Sequence, residues 1–477
     1  MNSANIKRCS NPTCGGNGNC AVCPKRVPEQ LDSDAFEAVA EYAVPKEDGT
    51  VICHTIKVGQ SDMADAMLDN DYAIAIDLGT TTLAFALVDM ISGQVVHTIT
   101  MLNSQRKYGA DVLSRIQASV GGKKDELRAC IQKDLCEGID RLLKEHIAYT
   151  KEDMVERIVI SGNTTMVHLL MGYDCSALGV YPFTPVNTGL ITGTAKEILD
   201  YTQSNKEIET IIFPCISAFV GGDIVSGLYA LDFARKEDIS LFIDLGTNGE
   251  IALGNSKKIL TTSVAAGPAF EGGNISCGMG SVAGAICSVD IESKEETDNY
   301  DVNVMTIQDC APYGICGTGV IEIVAEFLKN KIIDETGLYR DEFFESGFEL
   351  AGMVAFFQKD IREFQMAKAA LRAGIEILIT QYGVRTEDIS KVYLAGGFGF
   401  HLDVKKAVAT GILPKELADK VEIAGNTSLG GMVRFLTDRE RVRNIQNILD
   451  ISQEIVLADN EDFNTKYLQE MAFDIDL

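Results

Sequence analysis

The sequence predicts an α/β protein made of two related lobes that face each other across a cleft, preceded by a small cysteine-rich segment. Three observations predict it. From Tyr72 to the C-terminus, apolar strands alternate with amphipathic helices, the pattern of layered α/β architecture. The phrase Ala75-Ile76-Asp77-Leu78-Gly79-Thr80-Thr81-Thr82 returns in the second half as Phe242-Ile243-Asp244-Leu245-Gly246-Thr247-Asn248-Gly249. Finally, Cys9, Cys14, Cys20 and Cys23 crowd a Gly/Asn-rich head that has almost no hydrophobic periodicity.

Composition bounds the function. The chain has 477 residues with 42 Lys+Arg and 69 Asp+Glu, a net charge of −27. At about 150 residues per domain, that length accommodates several sizeable cores. The acidic excess argues against general nucleic-acid binding and against adhesion to anionic lipid, because both need clustered Lys and Arg. No apolar run reaches the ~18–20 residues of a membrane span. The polar start MNSANIKRCSNPTCGG lacks the apolar core of a secretion signal. Thirteen cysteines, an odd number spread along a long chain, do not describe a secreted disulfide scaffold, so a reducing, cytoplasmic setting is expected. Cys215, Cys277, Cys287 and Cys316 lie in apolar stretches and read as small core residues.

The elements follow in order. Residues 1–30 form the head, ending at Pro24 and Pro28, and residues 31–70 form a connector with a short helix (Asp34–Tyr42) and a strand (Thr50–Val58). The first lobe is expected over 71–238, with strands Tyr72–Leu78, Leu83–Asp89 and Arg157–Ser161, the last before Gly162-Asn163. The second is expected over 239–477. It contains a glycine-rich turn (Gly314–Gly319) before the apolar helix Val320–Leu328, a helix around Asp360–Gln381, and a strand Lys391–Leu394 that runs into Gly396-Gly397-Phe398-Gly399.

The repeated phrase has a chemical use. A strand that ends in Asp places a carboxylate at the mouth of a sheet, where a hydrated divalent cation can be held. The Gly lets the backbone turn tightly so that its N–H groups can point at phosphate oxygens, and Thr adds a hydroxyl. Two such hairpins can enclose a polyphosphate and its Mg²⁺, which retains waters beside its carboxylates. A single copy would read as an ordinary hairpin turn, and the repetition is what favours the chemistry. The late Gly-Gly-Phe-Gly lets a flat ligand approach the backbone, and the amides of Gly314–Gly319 can meet a phosphate or ribose.

The head reads as a soft-metal site. Four thiolates spaced Cys9-x4-Cys14-x5-Cys20-x2-Cys23 in a glycine loop can wrap one centre, iron–sulfur or zinc. The histidines are scattered without ligand spacing and none is assigned to catalysis. No Walker-type phosphate loop, GxGxxG or Ser/His/Asp arrangement stands out.

The paired hairpins and the late Gly-Gly-Phe-Gly resemble the actin, hexokinase and heat-shock ATPase superfamily. More specific phrases resemble the reductive activators of corrinoid proteins, from about residue 72 to the end. They are Asn103-Ser104-Gln105; Gly109-Ala110-Asp111-Val112-Leu113-Ser114-Arg115-Ile116; Gly162-Asn163-Thr164-Thr165-Met166; Asp244-Leu245-Gly246-Thr247-Asn248-Gly249-Glu250; Gly267-Pro268-Ala269-Phe270-Glu271-Gly272; Gln365-Met366-Ala367-Lys368; and Met471-Ala472-Phe473.

The resemblance implies an ATP-dependent iron–sulfur protein that returns cob(II)amide to cob(I)amide in a corrinoid protein of an anaerobe's methyltransferase system. It would draw on an upstream low-potential reductant, and a homodimer stays open. By the same resemblance, Asp77 and Asp244 organise Mg²⁺ and water, with Glu250 and Glu271 polarising a water or holding the metal's shell. Gly79, Thr80, Thr81, Thr82, Gly246, Thr247, Asn248 and Gly249 lie along the phosphates, and Gly317, Gly396 and Gly397 border the nucleoside. Lys368 reads as a surface lysine rather than a flank for the base. The run Cys14 to Cys23 is similar to the C-x5-C-x2-C loop of 2Fe–2S ferredoxin domains, yet few residues precede it. A compact 4Fe–4S cluster on Cys9, Cys14, Cys20 and Cys23 is therefore favoured, with a 2Fe–2S centre using Cys53 open. The rival readings are a low-potential donor to another metalloenzyme, a zinc-stabilised nucleotide-binding scaffold, and a small-molecule kinase.

Overall fold

A chain that repeats strand, Asp, Gly-Thr turn and strand should build its two halves alike, and it does. The computed structural model describes residues 42–45, 51–54, 71–146, 154–246, 248–294, 300–396 and 402–474. The four head cysteines, residues 34–41 of the expected first helix, Thr247 and Gly397 lie outside the described residues. Within the connector, β1 (Tyr42–Pro45) pairs antiparallel with β2 (Val51–His54), inside the expected strand.

The first sheet starts with an antiparallel meander, β3 (Tyr72–Leu78), β4 (Thr82–Asp89) and β5 (Val95–Leu102). Helices α1 (Val112–Ala118) and α2 (Lys124–His146) lead to β6 (Val155–Gly162) and α3 (Thr164–Met171). Then come β7 (Ile191–Thr194), α4 (Ala195–Leu199), β8 (Glu209–Ile212) and α5 (Gly222–Ala230). The strand order is β5-β4-β3-β6-β8-β7, with β6 parallel to both β3 and β8.

The second sheet repeats this plan. Its meander is β9 (Ser240–Leu245), β10 (Gly249–Asn255) and β11 (Lys258–Val264). An insertion follows: β12 (Ala285–Ser293), β13 (Tyr300–Thr306), β14 (Gly314–Ile315), α6 (Gly317–Lys329), α7 (Asp341–Phe344), β15 (Phe348–Ala351), β16 (Val354–Phe356) and α8 (Gln358–Tyr382). The chain closes with β17 (Lys391–Ala395), α9 (Val404–Ala409), β18 (Val421–Gly425), α10 (Thr427–Thr437), α11 (Arg441–Ile451), β19 (Ser452–Glu454) and α12 (Phe463–Gln469). The order β11-β10-β9-β17-β18 matches β5-β4-β3-β6-β8 strand for strand.

Both faces of β3 and β9 are covered, which is why they read as nearly unbroken apolar runs rather than as alternating strands. The outer face of the first sheet packs under α2 and α3 through Ile74, Ile76, Leu135 and Leu169. The outer face of the second packs under α6 and α8 through Leu241, Ile243, Ile321 and Leu371. A third core joins the two sheets: Ala73, Ala75 and Ala86 of one and Phe242, Ala252 and Tyr393 of the other close around α5, α10 and α11. The small alanines of the first sheet leave room for that helical layer. The glycine-rich turn expected over Gly314–Gly319 divides between β14 and α6: Gly314 and Ile315 pair as a strand, and Gly317–Gly319 form the first turn of α6. A Cβ on Gly317 would sit 1.7 Å from the Phe270 carbonyl oxygen, so only glycine lets the two backbones touch.

Helices α5 and α10 cross almost backbone to backbone. A Cβ on Gly431 would lie 2.0 Å from the Ser226 carbonyl oxygen, and Ser226 Oγ donates to the Ser428 carbonyl at 2.7 Å. Because the obstacle is backbone, it cannot swing aside. Gly431→Ala is expected to cost about 1–3 kcal/mol through overpacking, read as a lower urea midpoint at unchanged slope.

Candidate functional site

The two Gly-Thr hairpins come together where β3 and β9 end. Asp77 is the penultimate residue of β3 and Asp244 that of β9, so equal register in two like sheets brings two carboxylates to one place. Asp223, second residue of α5, is the third. Glu250 stands directly opposite Asp244 across the β9–β10 hairpin. Like charges in direct cross-strand register oppose pairing, so the arrangement has a cost that strand stability alone does not explain.

The electrostatics express that crowding. Burial drives the Asp244 carboxyl up to about 8, reinforced by Asp223, Asp77 and Glu271. Burial likewise lifts Asp223 to about 7, with Asp77 adding to it. Glu250 is pushed well above the usual carboxylate range by burial and by Asp223 and Asp244, against bonds from Ser263 and Asn248. Asp77 is raised by burial too, but two donors oppose the rise. Asn426 Nδ2 reaches its Oδ2 at 2.9 Å and Ser428 Oγ its Oδ1 at 2.8 Å. Both donors belong to the start of α10, so Asp77 ties the first sheet to the helix that follows the second.

The donor chemistry suits a hard cation that brings its own oxygen ligands. Among the described residues, no three His, Cys, Asp or Glu side chains converge closely enough to cage an ion. Carboxylates that flank a cation still carrying water and phosphate fit Mg²⁺ better than a dedicated protein cage would.

The first hairpin is braced from behind. Asn103 Nδ2 donates to the Gly79 carbonyl at 2.9 Å, its backbone N–H to the Thr81 carbonyl at 2.9 Å, and Arg115 Nη2 to the Thr80 carbonyl at 2.7 Å. Asn163 caps α3 by accepting from the Met166 N–H, and its Nδ2 reaches Thr80 Oγ1 at 2.9 Å. The phrases around Asn103, Arg115 and Asn163 thus share one structural task. Gly79 is required for the turn itself, since a Cβ there would meet the Thr82 carbonyl oxygen at 2.4 Å.

The second hairpin is arranged differently. Gly246 N–H donates to the Asn248 carbonyl at 2.9 Å, while the Asn248 side chain bonds Glu250. Glu271 closes a 3-10 turn, Pro268–Glu271, and its carboxylate lies near Gly246. Gly249 packs inward against Val264 and Leu371. Gly317 is buried under the Phe270 carbonyl, directly behind Glu271, so its contact is with that turn. Gly396 has φ +113 and crosses so close to Leu245 that a Cβ would lie 2.1 Å from the Leu245 carbonyl oxygen.

Two points differ from the sequence reading. Asp223 escaped notice because an acid in the first turn of a helix is ordinary. The signal that could have found it is Gly221-Gly222-Asp223 ahead of an apolar helix, with Gly221 lying against the Asn163 backbone. Lys368 is not a surface residue. It is 2% exposed, donates to the Ala472 carbonyl at 2.6 Å, and burial brings it down to about 8. Gln365 Nε2 holds the Met471 carbonyl at 2.8 Å. Phe473 then stacks on Phe364, which meets Phe270 edge-on beside Glu271. The C-terminal phrase is thus linked, through Phe364, to the turn that carries Glu271.

The raised carboxyls make a signed expectation. A group whose folded pKa exceeds its unfolded value near 4 costs stability progressively as pH rises from there through the folded pKa. Asp244→Asn is therefore expected to raise the melting temperature of nucleotide-free protein at pH 9 and to change it little at pH 4. A melting temperature that falls equally at both would contradict the crowding.

Residues 72–236 match the family described as the RACo middle region, and residues 238–476 match the C-terminal domain of RACo, the ASKHA domain. The chain is similar to the corrinoid activation enzyme RamQ of Eubacterium limosum, at 30% identity over 95% of this chain and 79% of the relative. It is also similar to the [Co(II) methylated amine-specific corrinoid protein] reductase of Methanosarcina barkeri, at 28% identity over 84% of this chain and 77% of that one. A solved reductive activator for corrinoid, iron-sulfur protein superposes with a TM-score of 0.77 at 33% identity, covering 85% of this chain and 66% of its own.

Proposed function

Because the chain belongs to the RACo family of corrinoid-protein reductive activators, with an ASKHA domain, we propose that it spends ATP to deliver one electron to the cobalt of a corrinoid protein. The observation that carries the nucleotide part is the meeting of Asp77, Asp223, Asp244 and Glu250 at the turns of two matching sheets. Their crowding is relieved when a cation with bound phosphate sits among them.

On this reading Asp77 and Asp244 hold Mg²⁺ through its waters, and Glu250 and Glu271 orient a water at the terminal phosphate. Gly79, Thr80, Thr81, Thr82, Gly246 and Thr247 line the phosphates. The nucleoside extends past Gly396 and Gly397 toward α6. The open cavity of about 450 Å³ beside α6, lined by Cys287, Ser288, Glu322, Leu402, Asp403 and Lys406, is the proposed place for the base.

A nucleotide in this position touches both sheets and α10 at once. It can favour a docking-competent arrangement only by binding that arrangement more tightly than the alternative. The thiolates of Cys9, Cys14, Cys20 and Cys23 are proposed to hold an iron–sulfur cluster, favoured as 4Fe–4S, with Cys53 as an alternative ligand of a 2Fe–2S centre. Such a cluster supplies a single electron at low potential, taken from an upstream reductant and passed on so that cob(II)amide becomes cob(I)amide. Among the described residues, no helix is long and apolar enough to cross a membrane.

The test is anaerobic visible spectroscopy of a cob(II) protein mixed with this chain and a reductant, with and without ATP. Cob(I) is expected to accumulate only with ATP, and equal accumulation without it would overturn the proposal. Asp77→Ala and Asp244→Ala are expected to abolish the ATP effect while retaining iron. Cys20→Ser and Cys23→Ser are expected to lose iron and sulfide while still binding ATP, as followed by metal analysis and calorimetry.

A further inference from the structure

ATP brings several negative charges to a place that already holds four carboxylates. Among the described residues no ion pair joins Asp77, Asp223, Asp244 or Glu250 to a Lys or Arg, the charges that act on Asp223, Asp244 and Glu250 are all acidic, and the donors to Asp77 are neutral. Mg²⁺ offsets part of this. A second source of positive charge lies behind the first hairpin.

Arg115 is fully buried. Its guanidinium donates to the Thr80 carbonyl at 2.7 Å, to the Gly109 carbonyl at 3.0 Å, to Gln105 Oε1 at 3.4 Å and to Met166 Sδ at 3.3 Å. None of these partners is charged. The acid that acts on it, Asp111, is occupied in capping α1. A buried cation without a paired carboxylate is costly, and the surrounding carbonyls compensate only part of that cost. Ordinary packing would use an apolar side chain or would supply an acid.

The hairpin geometry gives the cation a use. Across a trans peptide, the carbonyl of one residue and the amide of the next point in opposite directions. Asn103 and Arg115 hold the carbonyls of Gly79, Thr80 and Thr81, so the amides of Thr80, Thr81 and Thr82 point away from those donors. We propose that Arg115 is a positioning residue that makes the first hairpin selective for charged phosphate. It fixes the Thr80 carbonyl so that the turn's amides face the nucleotide, and its own positive charge, one peptide group behind them, offsets the surrounding carboxylates. The role rests on the nucleotide reading above.

The test is calorimetric titration of the full anaerobic chain with MgATP and with adenosine. In Arg115→Met the preference for MgATP over adenosine is expected to fall about tenfold or more, while adenosine affinity changes little. Gln105→Glu sets a carboxylate beside the guanidinium and neutralises it without deleting it. That variant is expected to lose the same preference, and it decides the matter if Arg115→Met does not fold. Arg115→Lys keeps the charge and is expected to keep most of the preference. Loss of MgATP and adenosine binding in equal measure, or an undiminished preference in Gln105→Glu, would reduce Arg115 to a packing residue and overturn the proposal. Wild-type protein that binds neither ligand would overturn the nucleotide reading itself.

Discussion

The organisation of this protein depends on acidic side chains gathered, half-buried, at the turns of two matching sheets. Asp77 and Asp244 end equivalent strands of two sheets, and Asp223 and Glu250 join them. Their carboxyls rise toward neutral chiefly because the fold takes them out of water, and for Asp223, Asp244 and Glu250 the neighbouring acids add to that rise. A cost of this kind persists only if the surrounding structure fixes the geometry and something bound there recovers it. In a protein with duplicated sheets, the natural agent is one that reaches both strand ends together.

What fixes the geometry is the layer between the sheets. The glycine crossing of α5 and α10 brings the two helices so close that each sheet is positioned by the other's helix. Both helices then begin at the site, α5 with Asp223 and α10 with the Asn426 and Ser428 donors to Asp77. A change in the site is thus applied at the ends of two rigid elements that run through the shared core. This is the mechanical basis on which nucleotide state could reach a distant partner surface.

Much of this was legible in the sequence because it depends on local rules. Unbroken apolar runs marked the strands, and the repeated Asp-Leu-Gly-Thr marked Asp77 and Asp244 as equivalent strand-end residues. The helix predicted at Asp360–Gln381 spans Gln358–Tyr382. What was not legible depends on tertiary contact. Asp223 looks like any first-turn acid until α5 is docked. Lys368 looks exposed until Phe473 and the Ala472 carbonyl cover it. The glycines before Val320 read as a loop because nothing local reveals that the Phe270 backbone requires them inside the helix.

The two hairpins have also diverged in a way their shared phrase conceals. Opposite Asp77 stands Ala84, whereas opposite Asp244 stands Glu250. The first turn is braced by Asn103, Arg115 and Asn163, while the second has its asparagine turned toward Glu250 and Glu271 close to its glycine. A duplicated motif under one constraint would keep both copies alike. Here one copy has gained buried cationic and amide donors behind its carbonyls, and the other has gained acids around its aspartate. On the proposed reading this is a division of labour: the first hairpin binds phosphate through oriented amides, and the second handles the cation and water. The asymmetry follows from the chemistry, because a terminal phosphate needs hydrogen-bond donors on one side and a metal-and-water shell on the other, and no single turn sequence provides both.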